Sequence, residues 1–195
     1  VHYLIIVSLL KGFYLCGNFG DPIINNDLID MCRYVKDNSV ASISISTNGS
    51  ARSVNWWTQL ASALPAEHNI EFALDGLADT HHLHRIGTSY DAIIRNASAF
   101  IKAGGNASWM FIKFKHNEHQ LDDARQLSSD LGFTSFNFKT SKRFGKPFPV
   151  LDKKGNTAYY IEQHSNSDIN PVEFNDLKDY KKWEVDVSCF AHESK

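Results

Sequence analysis

Leu15-Cys16-Gly17-Asn18-Phe19-Gly20-Asp21-Pro22 closes a short apolar run, residues 12–15, and stands directly before residues 23–36. In that following segment Ile24, Leu28, Met31, Cys32 and Val35 recur at spacings of three and four, which predicts an amphipathic helix. The octet therefore reads as a strand-to-helix turn. Its glycines let backbone approach a ligand with no Cβ in between, Pro22 suits the first turn of a helix, and Asp21 sets a carboxylate at the mouth. A cation such as an ammonium group suits that mouth. The alternative is ordinary chemistry, an acidic residue favoured by the positive end of a helix.

Moving outward, the strand-and-helix period repeats. Residues 41–47 alternate apolar and small polar side chains, and Asn48-Gly49 follows as a turn signal. Trp56, Trp57, Leu60, Ala61 and Leu64 mark a helix closed by Pro65, and residues 70–76 give the next strand and turn. Residues 77–89 read as a longer loop. Ile93, Ile94, Ala97, Phe100 and Ile101 form one helical face ended by Gly104-Gly105. A strand at 107–114, a helix marked by Leu121, Ala124, Leu127 and Leu131, and a strand at 133–138 complete the series.

Five strands alternating with four helices imply an α/β fold with a parallel sheet whose polar turns gather at the C-terminal strand ends, where ligands bind. Cys16 to Asp21, Ser46 to Asn48, Asp75 with Gly76, His116 to Glu118, and Lys139 with Thr140 meet at that edge. No GxGxxG fingerprint is present, so a partial (β/α) barrel is expected rather than a doubly wound sheet. After Thr140 the pattern changes. Pro147, Pro149, Gly155 and Pro171 punctuate it, residues 159–161 suggest a short strand, residues 175–183 a polar helix, and a domain boundary falls near residue 145.

Composition sets limits. The 195 residues are 43% hydrophobic with a net charge of −2, enough for one substantial core and without the basic excess that nucleic-acid binding needs. The one local basic cluster, Lys139, Lys142, Arg143 and Lys146, reads as a solvated loop. Three cysteines, odd in number and far apart, make no secreted disulfide framework and favour a reducing cytoplasm. The apolar opening, residues 3–10, is too short to span a membrane and reads as the end of a buried helix. Cys16 and Cys32 read as core thiols.

In order and spacing, Phe13 to Pro22, Ser46-Thr47-Asn48-Gly49, Phe72-Ala73-Leu74-Asp75-Gly76-Leu77, His84-Arg85 and Phe114-Lys115-His116-Asn117-Glu118 resemble the radical S-adenosylmethionine enzymes. The likeness is greatest to members with a C-terminal, SPASM-like domain for auxiliary iron-sulfur clusters, such as sulfatase-maturating enzymes. It implies a partial core barrel over residues 1–145, missing its first strand, and a bridge into a truncated auxiliary domain over residues 146–195. It also implies S-adenosylmethionine and a 4Fe-4S cluster as cofactors, a peptide or protein substrate, and a reductant protein.

Residue by residue, the resemblance matches Phe19-Gly20-Asp21-Pro22 to the family's Gly-Gly-Glu-Pro turn, with Asp21 accepting from the cofactor's ammonium. Phe replaces the first glycine, and the carboxylate is one methylene shorter. Ser46, Asn48, Asp75, Arg85 and Asn117 match positions lining cofactor or substrate, Arg85 beside the cofactor carboxylate. The family's CxxxCxxC loop is absent. The resemblance therefore implies a fragment, itself inactive, with Cys189 as the first auxiliary-cluster ligand. Two other readings stay open. His81-His82-Leu83-His84 and His116-Asn117-Glu118-His119 allow a zinc hydrolase, although the HExxH spacing is absent, and a barrel without its cluster could bind a nucleoside or peptide non-catalytically.

Overall fold

The computed structural model describes residues 10–17, 20–140 and 147–165. Residues 3–9 of the expected opening helix, Asn18, Phe19, the segment around residue 145, the expected helix at 175–183 and Cys189 lie outside the described residues.

Five strands form one parallel sheet in chain order: β1 (Gly12–Leu15), β2 (Ser42–Thr47), β3 (His68–Ala73), β4 (Ala107–Lys113) and β5 (Ser135–Thr140). Because the spatial order never reverses and parallel crossovers are right-handed, every connecting helix falls on the same side of the sheet. This is a partial (β/α) barrel, as the missing dinucleotide fingerprint suggested. The helices are α1 (Leu28–Asn38), α2 (Val54–Ala63), the short α3 (His81–His84), α4 (Tyr90–Lys102) and α5 (Leu121–Asp130).

Strand alternation separates the two faces. Ile43, Ile45, Ile70, Phe72, Trp109 and Phe111 point into the helix layer and are buried, where they meet Trp57, Leu60, Ile93 and Phe100. Fully burying an aromatic or branched side chain of this size contributes about 1.5 to 3 kcal/mol, so this layer dominates stability. The opposite face carries Ser42, Ser44 and Ser46 on β2, Asn69 and Glu71 on β3, and Ser135, Asn137 and Lys139 on β5, all half-buried or exposed. A sheet covered on both sides would read as continuous apolar runs. This one keeps a polar inner face.

The helix expected over residues 23–36 is divided. Pro22–Ile24 forms a 3-10 turn capped by Asp21, and α1 starts only at Leu28. Asn25 Oδ1 accepts from the Asp27 N–H at 3.0 Å, a side-chain turn that competes with helix continuation. Ile24 and Met31 are exposed, outside the buried face of Leu28, Cys32 and Val35. Within the expected loop 77–89 the chain forms α3.

Gly49 is the one glycine in the β2–α2 connection that geometry requires. Its φ is +70°, and a Cβ there would lie 2.6 Å from Phe72 Cδ1. Beyond β5, β6 (Phe148–Leu151) and β7 (Thr157–Ile161) pair antiparallel, a hairpin of which only the second strand was expected. It docks at the end of β4 through a Phe114–Gln163 bridge, the Lys115 N–H to Glu162 O bond, and Tyr159 donating to Leu83 O.

Candidate functional site

Asp21 is placed by the 3-10 turn it caps, half-buried at the C-terminal edge. Its Oδ1 accepts from the Ile23 N–H at 3.2 Å and from Thr47 Oγ1 at 2.7 Å, and its Oδ2 from the Asn48 N–H at 2.7 Å. Three of roughly four lone-pair sites are thereby taken by the chain itself. One remains for a ligand. Thr47 Oγ1 in turn accepts from the Gly49 N–H, so the end of β2 is fixed to the β1 turn. Asn48 Oδ1 accepts from both the N–H and hydroxyl of Ser50, and its Nδ2 donates to no described residue.

Asp75 follows β3 and is fully buried. Oδ1 accepts from the Ile112 N–H at 2.7 Å, while Oδ2 lies 2.7 Å from His84 Nδ1 and 2.6 Å from Arg85 Nε. Burial alone would push the carboxyl pKa up, but the His84 hydrogen bond, the Arg85 charge and the Ile112 N–H outweigh it and hold it below the usual value. Asp75 positions Arg85. The two terminal nitrogens of Arg85 carry no hydrogen bond to the described residues. His81 is also buried, its Nδ1 accepting from the Asp75 N–H and its Nε2 facing Thr88 Oγ1. Burial lowers its pKa from 6.5 to about 4, so the ring is neutral.

Asn117 is fully buried. Oδ1 accepts from the Phe114 N–H and Nδ2 donates to Asp75 O and Ile112 O, so the side chain closes the β4 turn from within. Glu118 accepts from the Ser165 N–H and hydroxyl and so ties the β7 end to the same turn.

A polar cavity of about 380 Å³ opens at this edge, lined by Tyr14, Cys16, Gly17, Asp21, Ser46, Thr47, Asn48, Glu71, Ala73, Arg85 and Lys139. It brings together Asp21, Ser46, Asn48 and Arg85 of the expected residues. Gly20 and Pro22 line an adjoining, mostly apolar cavity of about 400 Å³ with Leu28 and Met31. Glu71 also lines the cavity, from a position within β3 rather than at a strand end. The alternation of residues 68–73 carried the signal.

No family model matches the chain, and no curated protein matches its sequence. Solved structures do. SuiB from Streptococcus suis aligns over 92% of this chain and 36% of its own length, with a TM-score of 0.56 at 15% identity. anSMEcpe with bound AdoMet aligns over 92% of this chain and 44% of its own, with a TM-score of 0.54 at 14% identity. TYW1 with a lysine-pyruvate adduct bound aligns over 81% and 59%, with a TM-score of 0.50 at 14% identity. The fold is a partial (β/α) barrel, like that of these structures. The chain spans less than half the length of SuiB and of anSMEcpe.

Asp21, the Asn48 amide, Arg85 and Lys139 in one cavity fit a ligand bearing both an ammonium and a carboxylate. The described cysteines do not fit a four-iron cluster, which takes its thiolates from one pocket. Cys16 is exposed rather than in the core, and Cys32 is buried, with its thiol pushed up to about 11 by burial. Among the described residues no three His, Cys, Asp or Glu side chains are grouped to hold a metal. The zinc reading loses His81 in particular, because both its ring nitrogens are engaged within the chain. No helix among the described residues is long and apolar enough to cross a membrane.

Proposed function

We propose that this chain is the cofactor-binding part of a radical S-adenosylmethionine enzyme which, in complete form, acts on a peptide or protein. The observation that carries the reading is the cavity at the C-terminal edge, where consecutive parallel strands deliver Asp21, Ser46, Asn48 and Arg85 to one polar space. Its size suits a nucleoside-containing ligand. Solved structures of similar fold support the reading further. SuiB has been seen bound to S-adenosylmethionine and to its precursor peptide SuiA, and anSMEcpe with AdoMet and a peptide.

In a complete enzyme, S-adenosylmethionine with a 4Fe-4S cluster and a reductant protein would supply the radical chemistry. This chain's residues bind and orient. The free lone pair of Asp21 accepts from the ammonium, and the terminal nitrogens of Arg85 with Asn48 Nδ2 donate to the carboxylate. Asp75, itself bonded by His84, holds Arg85 through its Nε. No step is assigned to the described cysteines.

Calorimetric titration tests this. S-adenosylmethionine should bind saturably with a Kd below about 1 mM, and Arg85→Ala should weaken it roughly tenfold. A folded protein with no saturable binding would overturn the reading. The cysteine arrangement favours a second reading, a non-catalytic barrel that binds nucleoside or peptide. Release of 5′-deoxyadenosine by the full-length protein separates the two.

A further inference from the structure

Glu71 stands mid-strand on the polar inner face, set by register between Ser46 on β2 and Ser108 on β4. Ser46 Oγ donates to Oε1 at 3.1 Å. Among the described residues Oε2 accepts no hydrogen bond, and no Lys, Arg or His nitrogen lies within 4.0 Å of either oxygen. Glu71 thus brings unused acceptor capacity to the cavity wall, which a cationic ligand can take. Asp21, the other carboxylate of the cavity, differs because three chain donors already satisfy it. Tyr14 lines the same cavity. Partial burial, then the Glu71 charge, push its hydroxyl pKa up, so it stays a neutral phenol whose ring and oxygen can both meet a cation.

We propose that Glu71, with Tyr14, is the recognition site for a cationic group of the peptide substrate, a lysine ammonium or an arginine guanidinium. The inference rests on the functional reading above, since it takes the rest of the cavity to hold the cofactor.

The test uses the 195-residue chain and three neutral-backbone probes: acetyl-lysine methylamide, acetyl-arginine methylamide and acetyl-norleucine methylamide, titrated by NMR. One or both cationic probes should bind at least fivefold tighter than the norleucine probe, and the tighter of the two names the substrate side chain. Glu71→Gln keeps an acceptor for Ser46 and should abolish the preference while leaving S-adenosylmethionine affinity within twofold. Equal binding of all three probes by the unmodified chain, a comparison that needs no variant, would overturn the proposal. So would a preference that survives Glu71→Gln, or a tenfold loss of S-adenosylmethionine affinity, which would give Glu71 to the cofactor ammonium. If the preference holds but S-adenosylmethionine does not bind, the functional reading falls and the cation site stands. If S-adenosylmethionine binds without any preference among probes, only this proposal falls.

Discussion

The Asn48 N–H donates to Asp21 Oδ2 at 2.7 Å, so the first βα turn and the end of β2 are one hydrogen-bonded unit. Thr47 and Ile23 complete it through Oδ1. Asp21→Ala strands three partially buried donors, and bonds to a charged acceptor are worth about 1.5 to 3 kcal/mol against the alternative. Unfolding free energy should fall by about 2 to 3 kcal/mol, lowering the thermal midpoint by roughly 4 to 12 °C. S-adenosylmethionine affinity should drop roughly tenfold or more. An unchanged midpoint in differential scanning calorimetry would show that the unit carries no such weight.

The buried His81 makes stability depend on pH in a defined window. Its folded pKa is lowered from 6.5 to about 4, so below pH 6.5 the unfolded chain takes up a proton that the folded chain refuses. The contribution is therefore complete above pH 6.5 and is lost as pH falls towards 4. Asp75, whose pKa is lowered, adds a further loss only below its ordinary value of 3.8. Urea unfolding at successive pH values should show two steps in this order, and His81→Gln should diminish the first, to which His116, also lowered by burial, contributes as well, while keeping the second.

Much of this was legible because it is periodic. The Ser-Ile-Ser-Ile-Ser-Thr run of residues 42–47 states both a strand and its two faces. What escaped was non-periodic. The division at Asn25 depends on one side chain competing with the backbone, and α3 is too short for any spacing rule. The burial of Asp75 and Asn117 depends on loops folding back from ten and forty residues away, which no local pattern encodes. Cys16 is exposed because β1 is an edge strand of the sheet, a fact of strand order rather than of composition.

The two described cysteines should react at very different rates. Cys16 is exposed, whereas Cys32 is buried against the core with its thiol raised to about 11. The thiolate is the nucleophile, so iodoacetamide at pH 7.5 should label Cys16 and spare Cys32 until denaturant is added. Peptide mass mapping reads both sites. Reconstitution with iron and sulfide should leave these two thiols without visible iron-sulfur absorption; a stoichiometric cluster whose formation needs Cys16 or Cys32 would contradict the geometry.

Gly49 and Phe72 should prove energetically coupled. The positive φ of Gly49 suits no Cβ, and the Cβ of Ala would lie 2.6 Å from the Phe72 ring in the layer beneath the sheet. Backbone strain and overpacking are each worth about 1 to 3 kcal/mol, so Gly49→Ala should cost about 2 to 5 kcal/mol in urea unfolding. Phe72→Leu removes the ring that collides and also costs stability by opening space in the core. Made together, the two changes should destabilise by less than their sum, by at least about 0.5 kcal/mol, because the smaller side chain admits the new methyl. Strict additivity would mean that the backbone at Gly49 shifts away from Phe72 on its own. In that case Asn48, one residue earlier, would move with it, and the loss would appear as weakened S-adenosylmethionine binding in the single Gly49→Ala variant.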